Sequence, residues 1–336
     1  MNRSIGRTLL RIAAGAIFAL WTAWNALTLV FANLNASWLR HGLALAYVAC
    51  VVLVLLLVRP FRRALAFAIS AGLIVTMAYV ATRPSNDRDW QPDVAVSATA
   101  SLEGDKVTIR GVRNFRYRSE HDFDANWEER SFDLSKLRSL DLLMSYWGPV
   151  AYCHTMLSFG FEGGEQLIAS VEARKERGEE YSTFGGFFKQ YELVYLFGDE
   201  RDFIGLRTNQ RGEDVYLYRI RVRPHRLHEL FLSYVHFADR LAVEPEFYDV
   251  IENSCGVNVM HRAAESGKVV FAGRELLLNG EWDRHFYEFG MLDQSRPFEE
   301  LRRLSRVNDR ARAAGDAPDF SRRIREGLPP PPQFPE

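Results

Sequence analysis

The stretch Leu43-Ala44-Leu45-Ala46-Tyr47-Val48-Ala49-Cys50-Val51-Val52-Leu53-Val54-Leu55-Leu56-Leu57-Val58 holds no charged residue and no proline. Crossing a bilayer takes roughly 20 apolar residues, with a lower limit near 17, and His41 and Gly42 extend the run to that length. Two more apolar runs flank it, about Leu9–Phe31 before and about Ala64–Ala81 after. Spans are therefore expected at about 9–31, 41–58 and 62–81, and residues 1–83 are read as a membrane anchor. The first run is too long for the apolar core of a typical signal peptide. It lacks a clear small-residue cleavage site and two more runs follow it, so it is read as a retained helix.

Orientation follows from the arginines. Arg3, Arg7 and Arg11 stand at or before the start of the first run, and Arg59, Arg62 and Arg63 lie between the second and third. The loop 33–40 carries only Arg40. Positive charge stays on the cytoplasmic side. The expectation is a multi-pass protein of a bacterial-type inner membrane, with its N-terminus in the cytoplasm and everything after Arg83 in the periplasm. Trp24 and Trp21 either anchor at the interface, like Trp38, or pack between helices. No Asp, Glu or Lys lies within the spans, which gives a transport path little support.

The whole chain of 336 residues has a formal net charge of −1, a poor match to nucleic acid, which needs a basic face. From Arg83 onward charges and aromatics appear in the proportions of a globular domain. Residues 84–93 form a polar linker. Val94–Thr99 and Lys106–Val112 alternate around Glu103-Gly104-Asp105 and predict a hairpin. Ser139–Tyr146 predicts a strand. Thr155–Glu162 and Gln166–Ala173 predict a hairpin around Gly163-Gly164. Glu192–Phe197 and Val215–Val222 predict two more strands, with a short helix over Glu200–Thr208. Leu227–Val243 and Cys255–Ser266 predict helices. The domain 94–300 is thus α+β with an antiparallel sheet. Residues 301–336 read as a charged helical segment ending in a disordered proline-rich tail, Pro329–Pro332.

Two stretches carry chemistry. Tyr152-Cys153-His154-Thr155 places a histidine at a strand start, and Asn253-Ser254-Cys255-Gly256 places a cysteine where a loop becomes a helix. The unpaired N–H groups of a helix N-terminus stabilise a thiolate and equally an oxyanion on an attacked carbonyl. An imidazole supplies the base. Cys255 is the candidate nucleophile and His154 the candidate base; Glu172, Asp199 or Glu200 is the candidate to orient the ring. A two-residue turn at Gly163-Gly164 pairs His154 with Ala173, whereas a bulge or a three-residue loop brings Glu172 opposite. Asn253 either aims its amide at the oxyanion or caps the helix. Cys153 and Cys255 stay free or, in an oxidising compartment, pair with each other. No metal or cofactor is expected.

The run from Val112-Arg113-Asn114-Phe115 through Trp127-Glu128, His154-Thr155-Met156-Leu157-Ser158-Phe159, Ser170-Val171-Glu172-Ala173-Arg174, Asp199-Glu200-Arg201-Asp202, Leu206-Arg207-Thr208 and Asn253-Ser254-Cys255 resembles the periplasmic domain of the Lnb-type lipoprotein N-acyltransferases, over about residues 110–265. The order of histidine and then Asn-x-Cys is also similar to circularly permuted papain-like folds, the lecithin–retinol acyltransferase relatives among them. The resemblance implies His154 as base and Cys255 as nucleophile. It places Glu172, Arg174, Asp199, Glu200 and Arg201 at family motif positions. It further implies transfer of an acyl chain from a membrane phospholipid to an amine, such as a lipoprotein N-terminal cysteine. Hydrolysis by the same pair, as a peptidase, amidase or phospholipase, is the alternative, and a non-enzymatic envelope protein the second. The chain departs from the family pattern in carrying its spans before the domain.

Overall fold

The computed structural model describes residues 3–34, 36–148, 152–265 and 279–331. The chain forms two compact units, Met1–Ser85 with Glu180–Tyr191, and Asn86–Glu179 with Glu192–Glu336.

The first unit contains α1 (Arg3–Val30), α2 (Ser37–Leu57) and α3 (Phe61–Ala81). All three are long and apolar enough to cross a membrane. The second begins earlier than the hydropathy of the run suggests, because Ser37-Trp38-Leu39-Arg40 is already helical. Trp21 packs between helices. Its Nε1 donates to Thr76 Oγ1 at 3.2 Å, and its ring lies so close to Gly72 that a Cβ there would come within 2.6 Å. Thr76 in turn donates to Asn25 Oδ1 at 3.0 Å. These bonds satisfy side chains that would otherwise meet hydrocarbon unpaired. Trp24 meets Tyr79 edge-on, and Trp38 is exposed.

The second unit is built on one sheet. Its strands are β1 (Thr99–Glu103), β2 (Lys106–Arg113), β5 (Trp127–Asp133), β6 (Leu137–Tyr146), β7 (His154–Phe161), β8 (Gln166–Arg174), β9 (Glu192–Gly198) and β10 (Asp214–Ile220). A small ribbon, β3 (Arg116–Tyr117) with β4 (Phe123–Asp124), lies apart. The order is β1-β2-β9-β8-β7-β6-β10, with β5 also on β2. Pairing is antiparallel except where the end of β2 meets β9. Alternate residues of β7 point to opposite faces. On one face Phe159 and Phe161 pack edge-on against Phe231 of helix α5 (Pro224–Val243). On the other, Met156, Leu143, Ile168 and Leu217 share a core with α4 (Glu200–Gly205).

Three expectations need correction. The first hairpin is shifted: Val94 closes a short 3-10 turn, and β1 starts at Thr99 and turns tightly at Gly104-Asp105, with Gly104 at φ 60°. Strand β5 was not anticipated, because Trp-Glu-Glu-Arg-Ser-Phe-Asp lacks an apolar alternation; only Phe132 is buried. Residues 301–336 are not an appendage. After α6 (Cys255–Glu265) and α7 (Trp282–Glu288) come α8 (Phe298–Ser305), α9 (Asn308–Ala314) and α10 (Phe320–Arg323). Val307, Ala311, Ala314, Phe320 and Ile324 join the same core as Met156, and Pro329 is buried as well. Small apolar residues spaced four and three apart make a helical face, hidden in the sequence among arginines. Residues 332–336 of the expected disordered tail lie outside the described residues.

Candidate functional site

The site starts from a turn. β7 and β8 are joined by Glu162-Gly163-Gly164, closed by Phe161 N–H donating to Glu165 O at 2.8 Å. Gly163 and Gly164 have φ of 90° and 91°, a region that residues with a Cβ avoid. The loop has three residues, and the register it fixes runs from Gly160↔Gln166 to Met156↔Ser170. Continued two residues further, it sets His154 opposite Glu172.

The side chains meet accordingly. His154 Nε2 lies 3.0 Å from Glu172 Oε1 and 2.8 Å from Ser170 Oγ. Ser170 Oγ donates to the same Glu172 oxygen at 2.7 Å, so it accepts from the Nε2–H. The imidazole is also hydrogen-bonded to Cys255. Burial disfavours a charged ring, but the Glu172 carboxylate and the bonds to Cys255 and Glu172 outweigh it and push His154 up to about 9. Burial by itself raises the Cys255 thiol; the bond and charge of His154 and the Thr155 backbone N–H override this and hold it below its ordinary value. Glu172 is also buried, yet His154 and Arg207 keep its carboxyl well below the usual range. The direction of all three shifts favours a thiolate–imidazolium pair backed by a carboxylate.

Cys255 is the first residue of α6. Ser254 Oγ accepts from Val257 N–H at 3.4 Å, as a capping residue does. Asn253 turns the other way. Its Nδ2 donates to Phe247 O at 3.1 Å and Glu246 Oε2 at 3.2 Å, and its Oδ1 accepts from Asn258 Nδ2 at 2.9 Å. Leu193 N–H donates to Glu246 O at 2.8 Å, which stitches this loop to β9. Asn253 therefore braces the approach to Cys255 rather than capping α6 or aiming at a carbonyl.

The other expected site residues lie elsewhere. Arg174 donates to Val94 O at 2.9 Å and Ala95 O at 2.7 Å and sits over the Trp90 ring; burial pulls it down to about 10. Asp199 caps α4 through Arg201 N–H at 2.9 Å. Arg201 donates to Phe115 O at 3.0 Å. Glu200 accepts from Ser158 Oγ at 2.6 Å and is paired with Arg325. These four tie the strands, α4 and the C-terminal helices together.

Two contributors had no role assigned from sequence, although both fall in stretches that carry the resemblance. One is Ser170. The other is Arg207, on a turn of π-helix, Leu206–Gln210, that continues α4. Its Nη2 donates to Glu172 Oε1 at 3.1 Å while Nη1 donates to Phe203 O at 3.1 Å. The two remaining cysteines differ sharply from Cys255. Cys50 lies in α2. Cys153 is buried against Asn279, whose Oδ1 accepts its N–H at 3.1 Å, and burial pushes its thiol up. All three thiols are free. Among the described residues no group of His, Cys, Asp or Glu is arranged to hold a metal ion.

Fold and site together define a membrane-anchored α+β protein in which a helix-terminal cysteine, a strand histidine and a glutamate converge. Residues 123–276 match the family model described as the Lnb N-terminal periplasmic domain. No curated protein and no solved structure matches the chain.

Proposed function

We propose that this protein is a thiol acyltransferase working at the outer surface of the bacterial inner membrane, with a permuted papain-like arrangement of its catalytic groups. The observation that carries the reading is the hydrogen-bonded series Cys255–His154–Glu172, whose thiol is lowered and whose imidazole is raised to about 9. The Cys255 thiolate attacks an ester carbonyl of a phospholipid. A C–S bond forms and the carbonyl electron pair moves onto oxygen, where backbone N–H groups opening α6 stabilise it. Collapse breaks the C–O bond, and the imidazolium gives its proton to the departing lysophospholipid alkoxide. In the second half an amine, such as a lipoprotein N-terminal cysteine, attacks the thioester; neutral His154 takes the proton and the thiolate leaves. Three spans with the N-terminus in the cytoplasm hold the enzyme among donors and acceptors that share its leaflet, which raises their effective concentration.

The test is acyl-thioester trapping. The detergent-solubilised chain is incubated with labelled phospholipid, quenched in acid and weighed intact. Wild type and Cys153→Ser should carry a hydroxylamine-sensitive acyl adduct, and Cys255→Ser and His154→Ala should not. Absence of an adduct from wild type under every donor tried would overturn the proposal. An adduct released to water but not to an amine would make the protein a hydrolase.

A further inference from the structure

Between β8 and β9 the chain leaves the sheet for Glu180–Tyr191, and this segment belongs to the compact unit of the three membrane helices. Its sequence, Tyr181-Ser182-Thr183-Phe184-Gly185-Gly186-Phe187-Phe188, is rich in aromatics and carries no charge. Phe188 stacks on Phe31, just past the end of α1, with centroids 5.4 Å apart and planes at 14°. Lys189 Nζ donates to Tyr79 O at 3.4 Å and lies 4.8 Å from the Tyr79 ring centroid, in the last turn of α3. Lys189 is in the left-handed region at φ 56°, a conformation a lysine adopts only when its surroundings impose it.

The segment also braces itself. Tyr191 OH donates to Glu180 O at 2.7 Å and accepts from Ser182 N–H at 2.9 Å, and Tyr181 stacks on Tyr191. Yet Phe184 is 67% exposed, Phe187 38% and Tyr181 44%. A braced loop that holds out large aromatic side chains has a partner for them.

Helix length identifies that partner. α1 has 28 residues and so runs about 42 Å, well over the roughly 30 Å of a hydrocarbon core. α3, with 21 residues, is about 32 Å long. Their C-terminal ends, which the loop grips, therefore fall in the headgroup region. Aromatic residues concentrate at that depth, where an apolar ring and a polar edge are both satisfied.

We propose that Glu180–Tyr191 is a membrane-interface element, its Phe184, Phe187 and Tyr181 seated at the boundary between headgroups and acyl chains of the bilayer that α1–α3 span. The loop enters the lipid from a second point in the sequence, about 100 residues after the last span. The inference is independent of the thiol chemistry.

The test uses the full chain in a Cys255→Ser background, so that no acyl-enzyme adds mass. Benzoylphenylalanine replaces Phe184, Phe187 or Ile74, the last an exposed residue of α3. Each variant is reconstituted in phosphatidylethanolamine–phosphatidylglycerol vesicles, irradiated and weighed intact. The expected result is a phospholipid-mass adduct at all three positions. Adducts at 74 alone, or crosslinks from 184 and 187 to a second protein chain, would overturn the proposal while leaving the thiol reading untouched.

Discussion

At the level of single residues the site depends on where one charge sits. His154 is held charged because Glu172 and Cys255 outweigh the cost of burial. The sign of its pH dependence follows: a raised imidazole stays protonated, and able to act as an acid toward the leaving alkoxide, until the pH passes about 9. Acylation by wild type should fall only above that value. Glu172→Gln removes the attracting carboxylate, so the same fall should begin at lower pH, toward the ordinary histidine value of roughly 6.5; an unchanged alkaline limb would remove Glu172 from the mechanism. The thiol is tested separately with iodoacetamide. Cys255 should alkylate below the pH at which a free thiol does, and His154→Ala should shift that onset upward. Arg207 never reaches the sulfur but grips Glu172 Oε1. In Arg207→Ala the carboxylate is free to turn away, and acyl-enzyme formation should slow about ten- to a hundredfold, the scale of a small misalignment. Arg207→Lys should rescue little, because an ammonium lacks the fork that bonds Phe203 O and Glu172 together.

At the level of elements, Arg325 adds a buried ionic tie to the apolar contacts that hold the C-terminal helices on the sheet. Arg325 donates to Asp141 Oδ2 at 2.7 Å and to Glu200 Oε2 at 2.7 Å, and both carboxylates are fully buried. Arg325→Ala leaves buried Glu200 without its arginine, while Asp141 keeps Arg219 at 2.6 Å; breaking such a buried pair costs about 3–5 kcal/mol. Thermal unfolding of the solubilised chain should show a marked drop in the midpoint, and a shift within error of wild type would mean that water already screens the pair. This tie was not legible in the sequence, where Arg325 is one arginine among many beyond Glu300. The hairpin of β7 and β8, by contrast, was legible almost to its ends, because paired glycines between two apolar runs fix both position and partner. Its phase was not, since a Gly-Gly turn admits two loop lengths with opposite side-chain outcomes. Strand β5 escaped because it is held by pairing with β2 rather than by an apolar pattern.

At the level of the whole molecule, hydropathy placed the three apolar helices to within a few residues, because that signal is local. The grip of Arg207 on Glu172 was invisible for the opposite reason: it joins residues 35 positions apart, whose proximity exists only in three dimensions. The proposed orientation is checked by alkaline phosphatase fusions, since that enzyme is active only in the periplasm. Fusions after Leu34 and Asp87 should be active and one after Arg62 inactive; the reverse pattern would place the domain in the cytoplasm.

The loop Glu162-Gly163-Gly164 has one more implication, for how this protein tolerates change over generations. Surface turns are where chains ordinarily gain and lose residues at little cost. Here a single deletion absorbed by the strands, with the three-residue turn kept, would slide Glu172 off the histidine and put Ala173 in its place, without touching any residue of the site. Sequences descended from this one should therefore vary freely in what the turn contains, glycines apart, and hardly at all in its length.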